Sequence, residues 1–385
     1  MYDFDQFPDR AGSDSVKWHE VQGSVLPMWV ADMDFPSPPA VREALALVLD
    51  RGTWGYTISG KADKEALAAY WARRHHTVID PESVTLSPCV VTGLKLGLRA
   101  VTKEGDGILI NPPVYGPFFM YLKANGRKVV ESPLVADENN HYTMNLAEME
   151  EKLASGEAKA VMLCSPHNPV GRAWSREELT AVVNLCRKYN AGLICDEIHA
   201  DFVFAPGKHV SILEIEGARA FAVMLCAASK TFNVAGLQQS AIVCKNETMR
   251  KAIANEMENG GVRSGNAFAL AATRAAYTSC DEWLDGLKAY LADNRDFVCE
   301  YVKANMPKIK VTPLEATYLM WLDCRDLKMT QEELKAFMFN KAKLGLNDGS
   351  TFGAGGTGFM RMNIACPRST VKEALERLEK AVNSL

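Results

Sequence analysis

The chain has 385 residues, more than the roughly 250 to 300 at which a single hydrophobic core stops growing, so two domains are expected. Hydrophobic residues make up 48% of the sequence and charged residues 23%, which is typical of a soluble globular protein. The formal net charge is -4, and no block rich in Lys and Arg is present. These values argue against a nucleic-acid surface and favour a small-molecule partner.

Neither the amino terminus nor the cysteine usage points to a membrane or an oxidising compartment. The first five residues are acidic, and no segment approaches the roughly 18 apolar residues of a membrane span. The ten cysteines, from Cys89 to Cys366, include no CxxC pair, which fits small buried side chains rather than disulfides. The adjacent His75 and His76 lack metal-ligand spacing, so no metal site is predicted. We therefore expect a cytoplasmic protein.

The first 40 or so residues are rich in proline and predict an irregular segment that wraps over other parts of the chain. Short apolar runs then alternate with stretches of helical period. The predicted strands lie around Val84, Ile108 and Val129 and over residues 160–163, 193–195, 221–226 and 241–244. Such alternation predicts an α/β fold whose large domain holds a mostly parallel sheet sandwiched between helices.

After about Asn246 the pattern changes to longer helical segments. Residues 281–304 are the clearest helix, and residues 310–311, 317–322 and 360–364 are candidate strands of a smaller sheet. This region predicts a second, smaller α+β domain. We expect three parts: an N-terminal segment joining the small domain (1–40), a large cofactor-binding domain (41–280) and a small C-terminal domain (281–385).

The residues with the most informative chemistry follow the predicted strands, where open α/β sheets place their ligands. Lys230 stands between a small-residue run and Gly236, just after the apolar run 221–226. A lysine in such a turn can act as a nucleophile toward an aldehyde cofactor. Asp196 directly follows buried apolar residues, so its carboxylate needs a cationic partner or hydrogen bonds, and a protonated pyridine nitrogen is one such partner. Asn168 lies in a turn between two prolines at the end of another predicted strand.

Seven blocks of the sequence together resemble a known family. They are PMWVADMDF (27–35), PPVYGPF (112–118), PHNPVGR (166–172), DEIHAD (196–201), AASKTFNVAG (227–236), ATYLMW (316–321) and GFMRMNIACP (358–367). In this order they resemble the fold type I pyridoxal 5'-phosphate (PLP) enzymes of the aspartate aminotransferase superfamily, and within it the MalY/PatB-type cystathionine β-lyases, or carbon–sulfur lyases. The resemblance covers nearly the whole chain.

The resemblance implies a role for each matching residue. Lys230 matches the lysine that bonds to PLP and later moves the substrate α-proton, and Asp196 matches the partner of the pyridine nitrogen. Asn168 matches the residue that hydrogen-bonds the ring oxygen O3′, and His199 stands where many relatives have a tyrosine serving the same oxygen. Tyr115 matches the aromatic side chain that stacks on the pyridine ring. Both Tyr115 and Asn168 are also expected to face the substrate.

Arg361 matches the arginine that binds the substrate α-carboxylate, which suits a guanidinium because two parallel N–H donors fix its orientation. The backbone amides of Val90 and Val91, at a predicted helix N-terminus, resemble the phosphate site of the family. Ser229 is placed to add a hydroxyl. Many members of the superfamily have a phosphate-binding arginine eight residues after the lysine, whereas this chain has Gln238.

Tyr56 is the candidate that compensates for this difference, because in the family the matching tyrosine reaches the cofactor phosphate of the neighbouring subunit. A symmetric homodimer with shared active sites is therefore expected.

Three functions remain open at this point. The resemblance implies PLP-dependent β-elimination of cystathionine or cysteine conjugates to pyruvate, ammonia and a thiol. An aminotransferase is the alternative enzyme, because Lys230, Asp196, Asn168 and Arg361 would serve that reaction equally well. A regulatory protein that contacts a transcription factor is the alternative outside catalysis, and the intact catalytic residues argue against a version that has lost activity.

Overall fold

The computed structural model describes residues 2–10, 12–19, 23–263 and 265–385. Five positions of the expected N-terminal segment, namely 1, 11 and 20–22, lie outside the described residues. The strands are β1 (Leu26–Pro27), β2 (Val84–Ser87), β3 (Gly107–Ile110), β4 (Lys128–Glu131), β5 (Val135–Ala136), β6 (Tyr142–Thr143), β7 (Ala160–Cys164), β8 (Gly192–Asp196), β9 (Ala222–Cys226), β10 (Ser240–Val243), β11 (Lys310–Val311), β12 (Leu319–Asp323), β13 (Leu344–Gly345), β14 (Asn347–Asp348) and β15 (Phe359–Asn363).

The α-helices are α1 (Val16–His19), α2 (Pro39–Asp50), α3 (Lys61–His75), α4 (Val90–Val101), α5 (Pro117–Ala124), α6 (Leu146–Ala154), α7 (Arg176–Lys188), α8 (Ala228–Thr231), α9 (Glu247–Asn259), α10 (Ala267–Ser279), α11 (Asp281–Asn305), α12 (Gln331–Ala336) and α13 (Arg368–Val382).

Seven strands form the large sheet, in the order β2-β10-β9-β8-β7-β3-β4. The five strands from β9 to β4 are parallel, and β10 runs antiparallel to both of its neighbours. Each of the seven strands predicted from apolar runs is present. The expected fold class, a mostly parallel sheet covered by helices, is confirmed.

The central strands are buried on both faces, which explains why the sequence shows continuous apolar runs rather than alternation. Strands β7 and β9 share the sequence Ala-Val-Met-Leu-Cys, and all ten of these residues are buried. Because these strands are parallel, they end along one edge of the sheet, and the segments that follow them start close together.

Helix α4 packs very closely on the sheet because it has glycine where it crosses β9. A Cβ atom at Gly93 would lie 2.4 Å from Leu225 Cδ2, and one at Gly97 would lie 3.2 Å from Val223 Cγ1. This close contact fixes the N-terminus of α4 beside the carboxyl ends of β2 and β9.

The smaller sheet is antiparallel, in the order β11-β12-β15-β14, and the long helix α11 packs against α13 and β11. Its core includes the rings of Trp321 and Phe359, which stack with centroids 5.1 Å apart. The predicted helix at 281–304 and the three predicted strands are present. The N-terminal segment meets this region where β1 pairs in parallel with β13.

In the described part of the chain, none of the helices combines the length and hydropathy needed to cross a bilayer. The ten cysteines are free thiols, eight of them buried.

Candidate active site

A cavity of about 180 Å³ lies at the carboxyl edge of the large sheet. Three neighbouring strands lead into it: Asp196 is the last residue of β8, Asn168 follows β7, and Lys230 lies in α8 directly after β9. Because parallel strands end at the same edge, residues 28 to 62 positions apart in sequence share one pocket.

Eight of the residues singled out from the sequence line this cavity. They are Val90, Val91, Tyr115, Asn168, Asp196, His199, Ser229 and Lys230.

The Lys230 amine is held by the N-terminal segment. Its Nζ donates a hydrogen bond to the backbone oxygen of Ala31 at 2.5 Å. Burial and the nearby Arg361 guanidinium lower the pKa of Lys230 to about 8, although the Asp32 and Asp196 carboxylates oppose the change. A lysine with this pKa is partly neutral at physiological pH, so it is a much better nucleophile and base than an exposed lysine.

Two buried groups in the cavity have few partners. Burial raises the pKa of Asp196 to about 7, and its Oδ1 accepts a hydrogen bond from the Ile198 amide at 3.1 Å. Burial, together with Lys230 and Arg361, lowers the pKa of His199 to about 3, so its ring is neutral. His199 Nδ1 is buried and has no hydrogen-bond partner among the described residues. The cavity therefore contains a carboxyl that forms no direct ion pair with a described residue and a ring nitrogen that has no hydrogen-bond partner among them.

Arg361 adjoins the cavity through its bond to Asn168. In β15 it is buried, its Nη1 donates to Asn168 Oδ1 at 2.9 Å, and its Nη2 donates to the Trp29 oxygen at 2.7 Å and to Asn347 Oδ1. The guanidinium lies 5.0 Å from the centre of the Phe352 ring. Its Nε is buried and has no partner among the described residues, so this N–H is available to a ligand.

The other end of the cavity is formed by the N-terminus of α4. Val90 and Val91 are its first two residues, and the N-cap Cys89 makes no side-chain capping bond. Backbone N–H groups at such a helix start favour an anion. Ser229 lines the same region, together with Gln238 and Gln239, which carry no charge. Position 238, where many members of the superfamily have an arginine, thus lines the cavity, but its glutamine side chain offers only a neutral amide.

Tyr56 is the one predicted site residue that the structure places on the outer surface. Its side chain is fully exposed, with a relative accessibility of 112%, and it does not line the cavity of its own chain. Trp54, Ile58 and the α2 residues Leu47 and Leu49 are also exposed. Residues 47–58 therefore include five exposed large side chains of apolar or aromatic character.

Sequence reasoning missed four residues that contribute to the site. Ala31 supplies the oxygen that accepts from Lys230 and also from the Tyr318 hydroxyl, at 3.1 Å. Asn347 holds Arg361, and Cys89 lines the cavity. Ala31 and Tyr318 lie in two of the seven blocks, so the signal was present, whereas Asn347 belongs to a two-residue strand without a recognisable pattern.

Comparisons with known proteins agree with this geometry. Residues 25–378 match the model of the family described as aminotransferase class I and II. The chain is 38% identical to cystathionine beta-lyase PatB of Bacillus subtilis, over 99% of this chain and 100% of that protein. It is 31% identical to protein MalY of Escherichia coli, with both chains fully covered.

Among solved structures, cystalysin from Treponema denticola, which contains a pyridoxal 5'-phosphate cofactor, superposes with a TM-score of 0.96. It is 34% identical, over 100% of this chain and 99% of that chain. The family expected from the seven sequence blocks is confirmed. The chain belongs to the aminotransferase class I and II family, with the fold of its PLP-binding members.

Proposed function

We propose that this protein is a PLP-dependent carbon–sulfur β-lyase, which converts sulfur amino acids such as cystathionine to pyruvate, ammonia and a thiol. One observation carries the proposal: the Lys230 amine, with its pKa lowered to about 8, shares a cavity with the Asp196 carboxyl and adjoins the Arg361 guanidinium. The similarity to cystathionine beta-lyase PatB over the whole length favours this reaction over transamination.

The groups in the cavity fit PLP. When bound, PLP supplies an aldehyde carbon for a lysine amine and a pyridinium ring that accepts an electron pair from the substrate. Lys230 provides the amine. A protonated ring nitrogen would give Asp196 the cation that it lacks, which would return its pKa from about 7 toward the ordinary range of a carboxyl. Asn168 and His199 would serve the ring oxygen, and Tyr115 would cover the ring face.

The phosphate group would be held mainly by neutral donors. The amides of Val90 and Val91 at the start of α4 and the Ser229 hydroxyl line that end of the cavity. The glutamine at 238 cannot supply the charge of an arginine, and a charge-assisted hydrogen bond contributes about 1.5–3 kcal/mol. We assign the compensating contact to Tyr56 of the partner subunit.

Arg361 would bind the substrate α-carboxylate. Three of its five N–H groups donate to Asn168, Asn347 and the Trp29 oxygen, which leaves the buried Nε–H and one Nη1–H as donors for the carboxylate. Burial lowers the pKa of Arg361 only to about 10, so the group remains cationic at neutral pH. The carboxylate is thereby oriented before any bond is broken.

Lys230 would move the protons, and Tyr115 would assist the leaving sulfur. Neutral Lys230 removes the α-proton at its Nζ, and the bond between the β-carbon and sulfur then breaks, with its electron pair leaving on sulfur. Burial and the Asp196 carboxylate raise the pKa of Tyr115 well above its usual value, so its hydroxyl stays protonated and can donate a hydrogen bond to the leaving sulfur, while the Lys230 ammonium returns the proton that it took from the α-carbon. The remaining three-carbon fragment keeps the amino nitrogen of the substrate. Addition of one water to it yields pyruvate and ammonia, so the atoms balance.

We also propose a homodimer with shared active sites. Tyr56 does not line the cavity of its own chain, and we take it together with the exposed Trp54 and Ile58 as one apolar patch. Apolar patches of this kind usually mark a protein interface. A two-fold symmetric contact through this surface would bring each Tyr56 toward the neighbouring cavity.

Mixed dimers test this sharing of the site. The variants Lys230→Ala and Tyr56→Ala are each expected to lose most activity, but a hybrid of the two contains one site with both native residues. Random mixing makes about half of the dimers hybrids, so about a quarter of wild-type activity should return. Absence of any recovery in verified hybrids would show that Tyr56 acts within its own subunit.

We also propose that the chain divides into three parts and that the protein is cytoplasmic. The parallel pairing of β1 with β13 supports an N-terminal segment (1–40) that joins the small domain, and the packing of α10 against α2 and α3 supports a large domain that ends near 280. The small domain is then 281–385. The free thiols support a cytoplasmic location, where thiols stay reduced.

The reaction is tested by incubating the purified holoenzyme with L-cystathionine, first without and then with a keto acid. We expect pyruvate and homocysteine in equal amounts without any keto acid, and no product from Lys230→Ala. Formation of only a new amino acid, dependent on the keto acid, would instead identify an aminotransferase. No turnover by a holoenzyme that contains PLP would favour a regulatory protein.

A further inference from the structure

A second cavity of about 180 Å³ lies close to the catalytic lysine but shares no lining residue with the active site. It is formed by the end of α3, the segment after β8 and helix α11. Asp201 lies between the two cavities: it lines the second one, and its Oδ2 accepts a hydrogen bond from Thr231, the residue next to Lys230.

The lining of this second cavity contains more basic than acidic side chains. Three of its basic residues, Arg74, Lys208 and Lys288, carry cationic groups. The other three are histidines: His75, whose pKa burial lowers, His76, and His209, whose ring contacts Glu197 at 2.7 Å. Asp201 is the single acidic residue in the lining. Its carboxylate already accepts hydrogen bonds from Tyr70 at 2.7 Å and from Thr231 at 2.6 Å, and it pairs with His75 at 3.0 Å. The Asp201 carboxylate is therefore already engaged by these three neighbours.

Lys288 is the least satisfied of these cations. It is half-buried, and its ammonium makes no hydrogen bond or ion pair with any described residue. Burial lowers the pKa of Lys288, and Arg74 lowers it further, while Asp201 and Asp285 act in the opposite direction. Arg74, in contrast, pairs with Asp285 at 2.6 Å. A half-buried ammonium without a partner costs free energy that a bound anion would recover.

We propose that this cavity binds a small oxyanion of the size of phosphate. The Lys288 ammonium and the Arg74 guanidinium would hold its oxygens from inside, and the exposed Lys208 would cover the opening. The chemistry suits free phosphate and the terminal group of a small phosphomonoester equally. The site requires neither PLP nor the lyase reaction, so it stands or falls separately from the proposed function.

Calorimetric titration of the holoenzyme tests the proposal. PLP stays bound so that its own phosphate occupies the active site, and the ionic strength is kept constant with chloride. Inorganic phosphate and glycerol 3-phosphate are titrated in parallel. Saturable binding of one ion per chain is expected, and the tighter of the two ligands identifies the source.

The variant Lys288→Gln should bind at least about tenfold more weakly, because it loses one charge-assisted hydrogen bond. Lys288→Arg should retain binding. Lys103→Gln removes an exposed lysine outside both cavities and should leave affinity unchanged. If Lys288→Gln does not fold, Lys208→Gln replaces it, with a severalfold loss expected.

Three results would overturn the proposal. One is the absence of saturable binding by the wild-type protein. Another is equal affinity in the wild type and Lys288→Gln. The third is competitive inhibition of pyruvate formation that accounts for all of the phosphate bound, since the anion would then occupy the carboxylate site at Arg361.

Discussion

Replacing Arg361 by lysine is expected to weaken substrate binding while preserving the fold. The buried guanidinium is fixed by Asn168, Asn347 and the Trp29 oxygen, and its Nε–H and one Nη1–H remain as donors for a carboxylate. Lysine keeps the positive charge but lacks the planar set of donors, so it cannot both hold these neighbours and bind a carboxylate in the same geometry.

The expected loss of kcat/KM follows from the number of hydrogen bonds to the substrate that the variant lacks. At least one charge-assisted hydrogen bond to the substrate disappears, which is worth about 1.5–3 kcal/mol, or roughly 10- to 150-fold in kcat/KM. The α-carboxylate is bound before and during the reaction alike, so most of the change should appear in KM rather than in kcat. Pyruvate release, followed over a range of L-cystathionine concentrations, measures both constants.

Arg325→Lys is the matched control. Arg325 also lies against an aromatic ring, 4.8 Å from the centre of Phe359, and it pairs with Asp323 rather than with a residue of the cavity. Its replacement should leave KM unchanged. The assignment of Arg361 would be refuted if Arg361→Lys, with an unchanged melting temperature, kept the wild-type KM, or if both variants raised KM equally.

Three further predictions concern buried charges. PLP should recombine with the apoenzyme faster as pH rises, reaching half of its maximal rate near pH 8 and a plateau above about pH 9, because the Lys230 amine must lose its proton; a rate still climbing steeply at pH 10 would contradict this. The pKa of Asp196 is raised from 3.8 to about 7, so its contribution to apoenzyme stability should be lost as pH rises across that interval, and urea unfolding of Asp196→Asn should lack this loss. Asp201→Asn removes the buried carboxylate that accepts hydrogen bonds from Tyr70 and Thr231 and contacts His75, and it should lower the unfolding free energy by about 1.5–3 kcal/mol; a change near zero would exclude a structural role for this carboxylate.

The large sheet was predictable because its strands are buried on both faces and read as continuous apolar runs. The residues at the carboxyl ends of β7, β8 and β9 were predictable as a site because these neighbouring strands are parallel. Their ends bring Asn168, Asp196 and Lys230 together. The seven blocks then supplied the chemistry of the pocket.

Backbone contacts were not predictable in this way. The Ala31 oxygen accepts from Lys230, and the Trp29 oxygen accepts from Arg361, but a carbonyl group is the same in every residue. Nor did the sequence reveal the basic cavity around Lys288, because its residues come from α3, α11 and the loop after β8, with no common pattern. Such sites depend on the tertiary arrangement alone.

The central claim, that the Lys230 amine bonds to PLP, is tested most directly by borohydride reduction of the holoenzyme followed by peptide mass spectrometry. Reduction makes the bond between a lysine amine and the aldehyde carbon permanent. We predict loss of the visible absorbance of the cofactor and a single modified peptide, with the added mass on Lys230. A holoenzyme whose label falls on another lysine, or on none, would contradict the account.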